Sequence, residues 1–361
     1  MKKAGTAKKP ITDERAIVRE EPTAKERATS LEEPIERERP YVFHEKGDMA
    51  YWADMSFKAE RVRISPFLRI GALEKVGQKS PETETLFEKA LDLETYVDRR
   101  LAEYMVAHPT WSWGNLIKGI GKENLAKVVG LIEAFGRYYD AGDPMIPVFA
   151  RQRPVEKYLM VVKGDVVEKE GIWVAGIERL ATVSKLWKYA GMSVVDGHSQ
   201  RRVAGEKLGF NADLRMALFR LATSLMRQQG IWYTGGLKEG QARGYLGHKE
   251  VIRSMKLTQG FSLAPTPKGR ECKTCNIVVT EKKTFHCPQC GEKLTPKREP
   301  TGVLFEGHLH MMALRRMIKD FLLCLWLVWR TAEGLPVPEP YEARLEDHEY
   351  KPIDPYAMLD R

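Results

Sequence analysis

The sequence predicts a mainly α fold, interrupted once by a small β-hairpin and once by a compact cysteine-bearing insertion. Three observations carry that prediction. Apolar residues recur at helical spacing in several long windows between positions 80 and 330, β-branched runs concentrate between 158 and 174, and four of the five cysteines form two CxxC pairs within 19 residues. With 361 residues, 43% of them hydrophobic, the chain has apolar side chains for one large core or two or three modest ones.

Residues 1–40 stand apart. They hold no Phe, Tyr or Trp, four prolines, and alternating clusters such as Lys8-Lys9, Glu20-Glu21 and Glu32-Glu33. Such a segment buries too little to offset its ordering entropy, so a disordered charged arm is expected. Aromatic residues begin at Tyr41, and 41–111 reads as a helical lead-in. Within it Leu86, Ala90, Leu93, Val97 and Leu101 recur at threes and fours and define an apolar stripe.

From Trp111 to Ile132, two apolar helical stretches flank Gly119-Ile120-Gly121. Both glycines let the backbone turn tightly and approach a phosphate, with amides at the start of the second helix pointing at it and Lys122 and Lys127 adding charge. This is the signature of a helix-hairpin-helix; it equally suits a plain connection between helices closed by glycine. Residues 140–176 change character: three prolines precede β-branched runs around Lys163-Gly164-Asp165, which predicts a short β-hairpin inserted between helices.

Helices resume near Ile177, with Leu180, Val183, Leu186 and Trp187 on one face. Asp213 to Gln229 is amphipathic, with Leu214, Leu218, Leu221, Ala222 and Leu225 inward and Arg215, Arg220 and Arg227 outward. His308 to Arg330 is nearly apolar all round after Lys319, so a buried helix is expected there.

The most specific motif is Cys272-Lys-Thr-Cys275, eleven residues, then Cys287-Pro-Gln-Cys290. Two such knuckles present four thiolates tetrahedrally, and the residues between them read as two short strands: a zinc ribbon holding structural Zn2+, with no open position for water. Iron or unmetallated thiols are the competing readings. Prolines at 265, 267, 296 and 300 bracket the module, and Lys282 and Lys283 are among the many lysines that suit it to nucleic acid.

The net charge of +9 is unevenly placed. Residues 1–150 carry 24 Lys+Arg against 25 Asp+Glu, residues 151–330 carry 31 against 16, and residues 331–361, an acidic C-terminal tail, carry 3 against 8. An excess of +15 over the middle segment (31 minus 16) points to a polyanionic partner. The longest apolar run, Phe321 to Trp329, falls short of the roughly 18 to 20 residues that cross a bilayer, and Met1 to Pro10 has no apolar h-region behind it. A cytoplasmic, nucleoid-associated protein without a membrane partner is expected.

Taken together, Leu116-Ile-Lys-Gly-Ile-Gly, Leu186-Trp-Lys-Tyr-Ala-Gly-Met192, His198-Ser199, Gly209-Phe-Asn-Ala-Asp-Leu-Arg215-Met-Ala-Leu218 and the helix from His308 resemble the C-terminal domain of one insertion-sequence transposase family, the RNA-guided serine recombinases. The spacing from Met192 to Ser199 reproduces that of the family. The resemblance covers roughly 112–330, that is 112–264 and 302–330 around the zinc ribbon at 265–301, with the hairpin at 140–176 and the ribbon as departures. It implies that Ser199 attacks a DNA phosphodiester, with Arg201 and Arg202 neutralising phosphate charge. Nucleic-acid contacts would come from Gly119, Gly121, Lys122, Lys127, Arg215, Lys282 and Lys283. The family's RNase-H-like nuclease domain has no counterpart in 41–111, so Mg2+ enters only if a partner nuclease subunit supplies its site. A guide RNA and a homo-oligomer follow from the same resemblance if strands are exchanged. The residues leave open a non-catalytic DNA-binding or accessory protein of a mobile element or virus, and an RNA-binding protein; Ser199 would then merely satisfy a turn.

Overall fold

The computed structural model describes residues 42–43, 48–162, 165–195, 198–235, 243–281, 284–338 and 353–360. The expected N-terminal arm, Lys282 and Lys283 lie outside these. Among the described residues are ten α-helices and four small sheets, so the fold is mainly α.

After a two-residue strand β1 (Val42–Phe43), two long helices, α1 (Asp48–Lys75) and α2 (Pro81–Ala107), run back to back as a helical hairpin. Ser80 caps α2 through the Thr83 amide, Pro81 occupies its first turn, and Gly77 takes φ +71° in the turn between the helices. The expected stripe on α2 is only partly right. Ala90, Val97 and Leu101 are buried, joined by Thr83 and Met105, but Leu86 and Leu93 are 53% and 43% exposed. Helix α1 covers one narrow seam of the outer half of α2, and residues flanking that seam face solvent.

Helix α3 (Trp111–Gly114) and helix α4 (Lys122–Glu133) follow, separated by the Gly119-Ile120-Gly121 loop. The expected β-hairpin is present as β3 (Glu156–Val162) and β4 (Asp165–Val174), in register from Glu156↔Gly171 to Val162↔Asp165. It is the centre of a four-stranded sheet, with β1 added beside β3 and β2 (Arg137–Tyr139) beside β4. Tyr138 and Tyr158 stack across this sheet at 3.9 Å.

Two short helices, α5 (Gly176–Arg179) and α6 (Val183–Tyr189), follow, and Leu180, Val183, Leu186 and Trp187 are all buried. A two-residue ladder, β5 (Val194–Val195) with β6 (His198–Ser199), leads to α7 (Ala212–Gln228), whose five expected inward residues are all buried. Then come α8 (Ile231–Thr234), α9 (Gly244–Thr258) and, after the cysteine module, α10 (Glu306–Ala332). The module leaves the body through β7 (Ser262–Ala264) and returns through β11 (Val303–Phe305), which pair in parallel.

Helix α10 is the axis of the core, as its apolar composition predicts. Trp113 and Trp232 pack on Phe321 with ring centroids 5.6 and 5.5 Å away. Fully burying such side chains contributes about 1.5–3 kcal/mol each, less where a polar atom is left without a partner, as Trp232 Nε1 is among the described residues. Trp326 Nε1 donates to Leu180 O at 2.8 Å and Trp187 Nε1 to Lys319 O at 3.1 Å. The buried Arg330 guanidinium donates to Ile177 O at 2.8 Å and to Pro336 O. Residues 353–360 return to this core: Ile353 and Met358 are buried in it.

Candidate nucleic-acid interface and metal centre

The metal centre is built from two matching turns. Asn276 follows Cys275 with φ +54° and Gly291 follows Cys290 with φ +73°, so each CxxC turns back on itself through a left-handed residue. The Cys275 amide points at Cys272 Sγ, 3.4 Å away, and the Gly291 amide donates to Cys287 O at 2.9 Å. A small sheet clamps the turns: β8 (Arg270–Glu271) pairs on one side with β9 (Val278–Val279) and on the other with β10 (Thr295–Pro296). Residues 284–286, expected as a strand, contribute only a single bridge from His286 to Lys293.

The four Sγ atoms lie within 4.8 Å of one another, and those of Cys272 and Cys290 are 3.5 Å apart. Tetrahedral zinc with sulfur at about 2.3 Å requires sulfurs roughly 3.8 Å apart, so the donor set fits a four-thiolate metal ion such as zinc. At Cys287, desolvation raises the thiol pKa, but bonds from the Cys290 and Gln289 amides together with those of the Cys290 and Cys272 side chains outweigh it and draw the value down to about 7.

The glycine hairpin divides its two glycines between different tasks. Gly119 has φ +94°, and a Cβ there would lie 3.0 Å from Leu225 Cα and Ser224 O, so this glycine serves close packing on α7. Gly121 is exposed, has φ −92°, and a Cβ there would meet nothing within 4 Å. It opens α4 without a side-chain cap, beside the exposed Lys122. The Lys118 amide of this hairpin is already bonded: it donates to Asp360 Oδ2 at 2.8 Å, while the Ile231 amide donates to the other oxygen at 2.7 Å.

Other expected cations have partners inside the molecule. Lys127 does not face outward; its ammonium donates to Asp98 of α2 at 3.0 Å, and Ser56 donates to the second oxygen of that carboxylate at 2.5 Å. Arg220 is forked onto Glu60 of α1 by two bonds of 2.7 Å. These pairings tie the N-terminal helical hairpin to α4 and α7 and remove two charges from the expected basic face.

Ser199 is half-buried in β6, opposite Val194, and is followed by the exposed Arg201 and Arg202. The connecting positions 196 and 197 lie outside the described residues. Arg215, in the first turn of α7, reaches back so that Nη1 donates to Gln200 O at 2.8 Å, with its guanidinium 5.0 Å above the Phe210 ring. Arg215 is thus tied to the backbone between Ser199 and Arg201, joining α7 to the local hairpin. His310 bonds Tyr245 and His308 bonds Glu299, so neither joins a metal group.

Two features had no counterpart in the sequence reading. One is a cleft of about 430 Å³ whose lining includes Tyr139, Arg179, Lys185, Lys188 and Tyr189 but no carboxylate. The other is Arg315 on α10, close enough to Arg215 and Arg201 to be repelled by both. Neither has a motif: each is assembled by tertiary packing from residues far apart in the chain. Comparison with protein-family models, with curated proteins and with solved structures finds no match to this chain.

Proposed function

We propose that this chain binds DNA through its helical body and cysteine module, and that it is related to the C-terminal domain of the RNA-guided serine recombinases, with Ser199 as the nucleophile for strand cleavage. The observation that supports the reading is the bond from Arg215 to the carbonyl of Gln200, the residue between Ser199 and the exposed Arg201 and Arg202, in the segment that holds the whole positive excess of the sequence. In that chemistry the Ser199 hydroxyl oxygen attacks phosphorus, its proton leaves to a base, and a deoxyribose oxygen departs. The phosphoserine bond retains the energy needed to rejoin strands. The arginines stabilise the added charge on phosphorus.

The remaining parts fit the same reading. The amides at the exposed Gly121 end of α4, with Lys122, suit a backbone phosphate, as a helix-hairpin-helix requires. The cleft whose lining includes Lys185 and Lys188 also suits a polyanion. The four cysteines are read as a structural zinc ribbon, because four thiolates leave no coordination position for chemistry.

A second reading, a DNA-binding accessory protein without catalysis, is favoured by one observation: residues 48–107 form a two-helix hairpin. Among the described residues no nuclease domain supplies the carboxylates that hold Mg2+, so catalysis requires a partner subunit. Trapping with suicide DNA substrates, alone and with candidate partner nucleases, separates the two. A covalent adduct on the wild-type chain that Ser199→Ala abolishes supports the recombinase; DNA binding with no adduct supports the accessory protein. Binding itself is tested by its salt dependence, which should be steep on a log-log plot. A salt-insensitive interaction refutes both.

A further inference from the structure

We propose that Arg201, Arg215 and Arg315 form one oxyanion site, which in DNA takes the backbone phosphate presented beside Ser199. The DNA part of this statement rests on the function proposed above; the oxyanion site itself does not.

The contrast with the other arginines of the molecule motivates the site. Several buried or half-buried guanidinium groups elsewhere are matched by carboxylates or carbonyls: Arg63 by Glu94, Arg153 by Glu178, and Arg330 by the carbonyls of Ile177 and Pro336. Arg315 is not. Its Nε is buried without a hydrogen-bond partner, and besides desolvation the charges that act on it are those of two more arginines, Arg215 and Arg201. No ion pair to a carboxylate occurs at any of the three among the described residues.

Such a grouping is electrostatically unfavourable in an empty site and is relieved by an anion that accepts from several N–H groups at once. Arg215 is held ready for that role, because the carbonyl of Gln200 and the Phe210 ring fix its guanidinium plane. Two more polar atoms at the same place also lack partners: Ser193 Oγ and Gln200 Oε1. The β5–β6 register, Val194↔Ser199, sets Ser193 and Gln200 opposite each other at the open end of the hairpin that carries Ser199. The Ser193 hydroxyl is a ready donor to an oxyanion, and a half-turn of the Gln200 amide places its NH2 group where its oxygen now stands. The Arg215 guanidinium and two reorientable polar groups are therefore gathered at Gln200, next to Ser199 and Arg201 in the chain, and α10 brings the unpartnered Nε of Arg315. A phosphodiester suits this set better than a carboxylate ligand, since a tetrahedral group offers acceptors to guanidinium groups arriving from separate elements.

The test uses the full chain and two probes. In thermal denaturation, inorganic sulfate at matched ionic strength should raise the melting temperature of the wild type above its value in chloride. Arg315→Gln should abolish that rise while melting no lower than the wild type in chloride, because the variant also removes like-charge repulsion. Arg315→Lys, which keeps the charge but loses the fork, should retain part of the rise. With duplex DNA as second probe, Arg315→Gln should weaken binding about tenfold and lower the magnitude of the log-log salt slope by about one. An unchanged sulfate response in Arg315→Gln overturns the oxyanion site. A sulfate response that depends on Arg315, in a chain that binds no DNA, keeps the site and refutes the DNA reading. DNA binding whose affinity and salt slope are unaltered by Arg315→Gln refutes this inference and leaves the DNA reading standing.

Discussion

The two glycines of the hairpin give a test in which stability and binding separate. At Gly119, alanine would have to adopt φ +94°, which costs about 1–2 kcal/mol for an L-residue. Its methyl group would also sit 3.0 Å from backbone atoms of Leu225 and Ser224, inside a helix that cannot retreat, and overpacking of this kind costs about 1–3 kcal/mol. Loss of unfolded-state freedom returns only about 0.4–1 kcal/mol. Gly119→Ala should therefore destabilise the chain by about 2–4 kcal/mol. At Gly121, φ is −92° and the methyl group meets nothing, so the same entropic gain offsets the weaker N-cap preference of alanine, and the net change is within about 0.5 kcal/mol. If the hairpin contacts phosphate, however, a methyl group at Gly121 stands in the approach, and DNA affinity should fall about tenfold, the equivalent of one lost charge-assisted bond. Thermal and denaturant unfolding, with DNA titrations at several salt concentrations, measure both quantities on both variants. Equal destabilisation by the two substitutions would refute the packing assignment, and wild-type DNA affinity in Gly121→Ala would refute the phosphate contact.

Two further outcomes follow from the structure. On the proposed zinc reading, metal analysis should find one zinc per chain, and chelation or Cys287→Ser should increase hydrogen exchange across 264–303 while leaving the helical circular dichroism of the body in place, because among the described residues the module buries little more than Cys272, Cys287 and Leu294. Burial beside Trp329, 4.6 Å between ring centroids, pushes His108 down to about 4, so it stays neutral in the folded chain while its unfolded form charges near 6.5. The stability linked to it is present above pH 6.5 and is lost as pH falls through 4; the difference between wild type and His108→Asn should reach about 3 kcal/mol across that window, read by denaturant unfolding at each pH.

Much of the helical body was legible because local pattern and tertiary role coincide there. The apolar stripe of α7 and the all-apolar run of α10 are buried as their spacing implies, and the cysteine spacing places four sulfurs together because each CxxC is its own turn. What was not legible depends on contacts between distant segments. Leu86 and Leu93 satisfy helical periodicity as well as Ala90 and Val97 do, yet only the position of α1 decides which pair is covered. Charge counting by segment failed for the same reason. Glu60, counted with the near-neutral N-terminal region, neutralises Arg220 of the basic segment, and Asp98 takes up Lys127, which had been expected to meet a polyanion. A charge excess along the sequence is therefore an upper bound on the charge a surface presents.

The C-terminal residues sharpen that point, because their acidity reads as solvated while part of it is structural. Asp360 accepts from the amides of Lys118 and Ile231 and donates its own amide to Leu116 O at 3.0 Å; Pro355 O accepts from Trp113 Nε1 at the same distance. Gly230 is matched to this carboxylate, since a Cβ there would lie 2.6 Å from Asp360 Oδ1. The last residues thus fix the entrance to the glycine hairpin from one side, as Gly119 packed on α7 fixes it from another. The Ile120 amide is used internally as well, on Ile117 O. A phosphate approaching this loop would consequently find its bonding capacity at the Gly121 end, where α4 begins uncapped, and not at the turn itself. A charged side chain that ends up holding a loop in shape cannot be told, in one dimension, from one that meets solvent or a ligand. The backbone amides decide it, and they are placed only by the fold.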